Sequence, residues 1–442
     1  MKRILFWMRM DEDYNELIEG ELESVALLNG LDSNSLSLSY SKSGGSRLFG
    51  DELKEFYRRL GEVCAEEENL KEELEYEKEG QNIFIYGNVP SEDVAKEIFG
   101  KCVLIKAIVE IWAESKSHDS LLETLLITSG SLIDTHLSSN KKWSFKLSRY
   151  NNKSTYNDLV KTLDKLSPIF KKAGQVDLAN PDTKMLLLER YLKDKDRHKY
   201  LEALYFGRII ADRNDISHWW NEYSLSTRPV LGPTSLENTL SFVMCNMGLV
   251  GKNSIIYDPF VGSGGSIISS SILGSFCMGS DIDIRILRGW GIAYRNINLD
   301  NNEGPTDIFT NFDHYGLERP EIVRFDIKHP VWRRSGSHGW VDAIITDPPY
   351  GNRASAKHTK IDKSMKGTET VEVSFRLIVA LLDLAEDVLV KGGRLVFLLP
   401  AFQGKVRESL SLLNRKRLEV KHIGQQKLAA GASRFVVAME KL

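Results

Sequence analysis

At 442 residues the chain exceeds what one ordinary core holds, and roughly 150 residues per domain gives about three domains. Hydrophobic residues make up 42% and charged residues 27%, a globular balance that excludes a disordered or collagenous chain, and no stretch of about 18 uncharged apolar residues is present for a membrane span. The net charge of -3 conceals segregation: residues 1–90 carry 10 Lys/Arg against 20 Asp/Glu, residues 91–200 carry 19 against 15, and the stretch 141–172 carries 9 against 2.

The first residues meet acidic side chains before a signal-peptide apolar region can form. Cys64, Cys102, Cys245 and Cys277 are far apart with no CxxC pair. That speaks against a zinc knuckle or a disulfide framework and for buried thiols in a reducing compartment. A cytoplasmic protein with no resident metal and no membrane contact is expected.

In chain order, residues 3–8 read as a strand, and Tyr14, Ile18, Leu22 and Val25 recur at the spacing of one helical face. Residues 31–50 are Ser- and Gly-rich loop chemistry, and the acidic block 66–79 reads as a solvated helix face. A second run follows: strand 82–87, helix 91–99 opened by Ser91, and strand 102–112. Ser120 and Glu123 form the pattern of a capping box. Next come a strand around Trp143 and Phe145, a helix marked by Leu159, Leu163, Leu166 and Phe170, and strands near 175–179 and 184–190. Small units of strand and helix suggest ferredoxin-like α+β modules. The division predicted is an N-terminal α+β region over 1–90, a second α+β module over 91–195, a linker over 196–235 and a catalytic domain over 236–442.

From residue 254 the rhythm becomes strand, turn, helix, with strands at 254–258, 276–280, 321–325, 341–346, 393–400, 416–423 and 433–440. Continuous apolar strands joined by helices predict a Rossmann-like α/β domain, a seven-stranded, mostly parallel sheet buried on both faces. The basic loop 351–370 interrupts that rhythm directly after a strand end, where functional loops sit.

The turn Asp258-Pro259-Phe260-Val261-Gly262-Ser263-Gly264-Gly265 follows the first of these strands. Its glycines allow close backbone approach, and the helix it opens offers free N–H groups to an anionic or zwitterionic ligand. Position 267 is Ile, not the third glycine of a dinucleotide fingerprint, and no GK[ST] follows, so neither a nicotinamide site nor a P-loop fits. Asp281 ends the second strand, placed for ribose hydroxyls, and Asp326 ends the third, placed for an adenine amine. Thr346-Asp347-Pro348-Pro349-Tyr350-Gly351 ends the fourth. A base's exocyclic amine is a poor nucleophile because its lone pair is delocalised. A carboxylate and a carbonyl held out by the stiff Pro-Pro pair can accept both amine hydrogens and free that lone pair. Tyr350 adds a flat face for an extruded base.

The Gly-rich turn and DPPYG together resemble the class I S-adenosylmethionine-dependent amino-methyltransferases. YFGRIIA (205–211), RPVLGPTSLE (228–237), YDPFVGSGG (257–265), GSDID (279–283) and TDPPYGNRASA (346–356) resemble the catalytic subunit of the eukaryotic tRNA guanine-10 N2-methyltransferases, and VDLANPD (176–182) resembles the close of a THUMP domain, that family's RNA-binding module. ELESVALL (21–28) resembles its first helix. The turn departs from the family's GTG at Ser263.

The resemblance implies S-adenosyl-L-methionine as cofactor, touched by Thr234, Asp258, Phe260, Gly262, Gly264, Asp281, Ile282, Asp326 and Ile327. It implies guanine held by Asp347, Pro348, Pro349 and Tyr350, tRNA as substrate, and a heterodimer with a small zinc-binding activator subunit. RNA grip is expected from Lys141, Lys142, Lys146, Arg149, Lys171 and Lys172, with Arg353 and Lys357 on the loop after DPPY. Two alternatives stay open at this point: an adenine-N6 methyltransferase acting on DNA or RNA, and a non-catalytic RNA-binding protein on the same fold.

Overall fold

A computed structural model describes residues 2–9, 13–32, 36, 38–40, 83–193, 198–215, 218–233, 235–290, 293–296, 305–329, 332, 339–349, 367–401, 406–427 and 433–442. Most of the Ser-rich segment, the acidic block 66–79 and the greater part of the loop 351–370 lie outside the described residues.

The first sheet combines β1 (Lys2–Met8), β2 (Ser39–Tyr40), β3 (Phe84–Val89), β4 (Ile105–Ser115), β5 (Trp143–Tyr150), β6 (Thr183–Lys193) and β7 (Lys199–Asp212) in the order β2-β3-β1-β4-β7-β6-β5. It is antiparallel apart from the β5–β6 pair. Residues 199–212, predicted as linker, are therefore a long central strand. Their run of apolar side chains, buried on both faces, lacks the alternation that marks a half-exposed strand. β7 pairs with β4 on one side and β6 on the other, so one sheet spans the two α+β modules. Gly207 lies where the strands approach most closely: a Cβ there would fall 2.1 Å from the Glu110 carbonyl oxygen.

Ser91 caps the helix Glu92–Lys101 as expected, accepting from Val94 N. The helix His118–Thr128 starts earlier than predicted. Ser117 is its cap and Ser120 supplies the donated N–H, so Ser120 and Glu123 form no capping box there. A true capping box, Thr155 with Asp158, opens the helix Tyr156–Phe170. In place of a strand at 175–179 there is a single bridge from Val176 to Trp143, because Asp177 turns the chain by accepting from Ala179 N and Asn180 N.

The short ribbon β8 (Val230–Leu231) with β11 (Tyr294–Arg295) flanks the second sheet, which contains β9 (Ile255–Asp258), β10 (Phe276–Asp281), β12 (Glu321–Arg324), β13 (Val341–Thr346), β14 (Leu389–Ala401), β15 (Leu418–Lys427) and β16 (Ser433–Lys441). Its order is β12-β10-β9-β13-β14-β16-β15, parallel except for β16, which runs against both neighbours. The seven strands match those predicted. The strand order reverses between β9 and β13, the switch point where open α/β sheets form a crevice at their carboxyl ends.

The N-terminal module packs directly on this domain. Glu21, on the helix Ile18–Leu28, is fully buried and accepts from Val103 N, Leu104 N and Asn246 Nδ2. Arg394 of β14 donates to Ser24 Oγ at 2.9 Å, and Lys101 Nζ donates to the Val250 carbonyl at 2.6 Å. One hydrophobic core runs from Phe6 and Leu22 through Phe242 to Val396 without a break.

Candidate active site

β9 ends in Asp258, and the chain then turns through Gly262 (φ +52°) and Gly264 (φ +88°) into the helix Gly265–Ile272. Both glycines occupy the left-handed region that side chains resist. A Cβ on Gly262 would meet only the Phe260 carbonyl oxygen, at 3.8 Å, so open space lies beside this turn.

Asp258 sits beneath the turn, not along it, with 2% of its surface exposed. Its carboxylate accepts from Phe260 N at 2.9 Å, from Thr346 Oγ1 at 2.5 Å and from Ser266 Oγ. Burial pushes its pKa up to about 7 against those donors. Through these donors the buried Asp258 ties the turn, the helix behind it and the end of β13 together. Ile327 likewise is buried in the core beside Phe325 and Val341.

Asp281 ends β10 beside β9 and is 8% exposed; one oxygen accepts from Gly262 N at 3.2 Å and the other from Asp283 N at 2.9 Å. Ile282 next to it is 41% exposed. Asp326 follows β12 and accepts from Lys328 N at 3.0 Å. Asp347, Pro348 and Pro349 follow β13. The structure thus gathers Asp281, Gly262, Gly264, Asp326 and Asp347 at the carboxyl ends of four neighbouring strands. Thr234, Tyr350, Arg353 and Lys357 lie outside the described residues. Ser235, beside Thr234, reaches Ser263 Oγ at 3.1 Å and accepts from Gly232 N, so this segment lies against the Gly-rich turn.

One neighbour of DPPY was not foreseen. Arg434, at the start of β16, places Nη1 3.9 Å from Asp347 Oδ2 and donates from Nε to Gln426 Oε1 of β15 at 2.7 Å. The hairpin β15–β16 thereby sets a cation beside the DPPY carboxylate. The signal lay 87 positions further along the chain and needed the register Pro400↔Arg434 to be seen.

The basic stretch 141–172 is less free than its composition implied. Lys142 pairs with Asp177, Lys146 with Asp212, and Arg149 with Glu189 and Asp158. Most of these acids come from outside the stretch, brought in by β6, β7 and the turn before β6.

A seven-stranded sheet of this order, with a Gly-rich turn and acids at successive strand ends, defines a Rossmann-like methyltransferase domain, here joined to a THUMP-bearing module. Residues 226–403 match the RMKL-like methyltransferase domain, and residues 55–214 match the Tmrp11 THUMP N-terminal domain. The chain is 33% identical to tRNA (guanine(10)-N(2))-methyltransferase TRMT11 of Homo sapiens over 381 residues, covering 82% of this chain and 80% of the other. It is 32% identical to the protein of that name from Dictyostelium discoideum over 365 residues, covering 75% and 68%. The chain belongs to the tRNA (guanine(10)-N(2))-methyltransferase family, and it is a methyltransferase. No described helix is long and apolar enough to cross a membrane.

Proposed function

We propose that this enzyme methylates the N2 amine of a guanine in tRNA, guanosine 10, with S-adenosyl-L-methionine as donor. It does so as the catalytic subunit of a cytoplasmic heterodimer with a small zinc-binding activator. The observation that carries the reading is the tether between the two halves of the crevice: Thr346, next to Asp347, donates to Asp258 under the Gly-rich turn, which fixes the DPPY carboxylate relative to the turn.

The residues suit the cofactor. Gly262 leaves open space, the N-terminus of the helix Gly265–Ile272 offers N–H groups to a carboxylate, and Asp281 stands at the strand end where ribose hydroxyls are accepted, with Asp326 placed for an adenine amine. Bound there, S-adenosylmethionine supplies an electrophilic methyl group. Asp347 and the Pro348 carbonyl accept the two N2 hydrogens of an extruded guanine, turning its lone pair toward the cofactor side of the crevice. An Asp347 oxygen would take up the proton that N2 loses when the methyl group passes from the donor's sulfur, which would leave as a neutral thioether, to N2. Arg434, with Nη1 3.9 Å from Oδ2, orients that carboxylate. Tyr350 stacks on the base.

The test is transfer of labelled methyl to bulk tRNA, with and without the activator subunit, followed by nucleoside digestion. N2-methylguanosine supports the reading. N6-methyladenosine, or no transfer under either condition, overturns it.

A further inference from the structure

A second concavity, of about 440 Å³, opens in the N-terminal module, and none of the crevice residues lines it. That size is typical of small-ligand sites, about 300–1,000 Å³. Its walls come from the end of β1 (Arg9), the start of β4 (Lys106), the end of β5 (Arg149) and the segment after β7 (Arg213 and His218), and no carboxylate is among the lining residues.

The charges differ in how they are balanced. Arg149 is neutralised by Glu189 at 2.6 Å and Asp158 at 2.9 Å. Arg9, Lys106 and Arg213 have no described carboxylate within ion-pair distance. Arg213 is 4% exposed and held by the carbonyls of Phe99 and Cys102, yet its Nη1 has no hydrogen-bond partner. A buried guanidinium nitrogen left in this state is costly unless something meets it. Aromatic faces hold the cations in place: Lys106 Nζ lies 3.9 Å from the centre of the Trp7 ring, and the guanidinium groups of Arg9 and Arg213 lie 5.7 and 5.0 Å from that of Trp220.

We propose that this cavity is a phosphate-binding site that takes a backbone phosphate of the RNA substrate. The Arg9 guanidinium supplies directional N–H donors, the Lys106 ammonium adds a point charge, and the buried Arg213, tied to the carbonyls of Phe99, Cys102 and Ile105, adds positive charge from within the wall. The same cations show the strain of an unanswered cluster. Burial, reinforced by Lys146, lowers Lys106; burial lowers Arg213 to about 10, with Arg9 adding to it; burial lowers His218, with Arg9 and Arg213 adding to it. Asp212, paired with Lys146, opposes this at Lys106, and the Cys102 thiol and the buried Glu21 oppose it at Arg213. An anion in the cavity answers all three cations at once. The RNA source of the phosphate rests on the tRNA reading above, whereas the cationic cavity does not.

The experiment uses the full chain with Arg9→Gln and Lys106→Gln together, leaving the structural Arg213 in place. Affinity for tRNA is measured by anisotropy across a salt series, and thermal midpoints are measured with and without inorganic phosphate. The double variant is expected to bind tRNA roughly tenfold more weakly at fixed salt, and the magnitude of the salt slope should fall by about 0.7 to 0.9 for each phosphate no longer neutralised. Phosphate should raise the midpoint of the parent and not of the variant, and affinity for S-adenosylmethionine should be unchanged. Wild-type tRNA affinity and slope in a folded variant overturn the proposal. If phosphate still raises only the parent's midpoint while tRNA binding is unaltered, the cavity serves a free phosphate or nucleotide, and the RNA assignment falls. Neither result depends on which nucleoside is methylated, so this proposal and the proposed function fail separately.

Discussion

Asp258 is a carboxylate whose surroundings oppose one another: full burial raises its pKa to about 7, while Ser266, Thr346 and the Phe260 N–H favour the ionised form. Because the folded state binds this proton more tightly than the unfolded chain, the group's stabilising effect is complete below about pH 4 and is lost as pH rises through about 7. Asp258→Asn should therefore flatten the dependence of the urea midpoint on pH between about 4 and 7; an unaltered slope would show that another group sets it. At the crevice, Asp347→Ala should reduce turnover by about 10²- to 10⁴-fold with little change in cofactor affinity. Arg434→Gln should lower kcat more than it raises KM, since the cation that orients Asp347 is gone. Kinetics identical to the parent's would remove Arg434 from the mechanism. Asp281, Asp326 and Asp347 were legible in the sequence because each stands where an apolar strand meets a turn. The supporting place of Asp258 was not, since burial is a property of the fold, and neither was Arg434, which only a hairpin's register brings to Asp347.

At the scale of elements, β9, β13 and β14 at the centre of the second sheet were readable because parallel strands buried on both faces are short apolar runs. β7 was hidden by the same property, as its apolar run carried no turn signals of its own and followed a polar segment. Helix starts depended on which of several serines caps. Ser117, Ser120 and Ser129 all lie near the helix His118–Thr128, and only the backbone places Ser117 in the extended conformation from which its hydroxyl receives the Ser120 N–H. Ser117→Ala should cost roughly 0.5 to 2 kcal/mol in denaturant melts, while Ser120→Ala, whose hydroxyl is not the cap, should cost less than half as much. The reverse order would make Ser120 the cap. Gly207→Ala is the harsher change in this module: its Cβ would fall on the Glu110 carbonyl oxygen, and β4 and β7 could keep their register only by moving apart.

The whole molecule depends on how the N-terminal module sits on the catalytic domain, and two titrating groups there respond to pH in opposite directions. Glu21, with two backbone donors and Asn246 on its carboxylate, has its pKa raised by burial, so its contribution weakens as pH rises above the usual carboxylate range. His422 of β15 bonds the Glu16 carbonyl oxygen at 2.8 Å through Nε2, which must carry the proton, and packs so closely on the helix Ile18–Leu28 that a Cβ at Gly20 would lie 2.6 Å from the ring. Burial lowers its pKa to about 4, so its contribution is complete above about pH 6.5 and is lost as pH falls toward 4. Acidification from pH 7 to pH 5 should accordingly loosen the docked face, seen as faster amide exchange over residues 15–25 and 418–427 than in the sheet core once intrinsic rates are corrected for pH. His422→Gln keeps a donor for Glu16 without a titrating ring. It should remove most of that acid response and leave the neutral-pH exchange pattern in place. If the variant loosens with acid as much as the parent, the pH sensitivity of the docked modules comes from another group and His422 is only a packing residue.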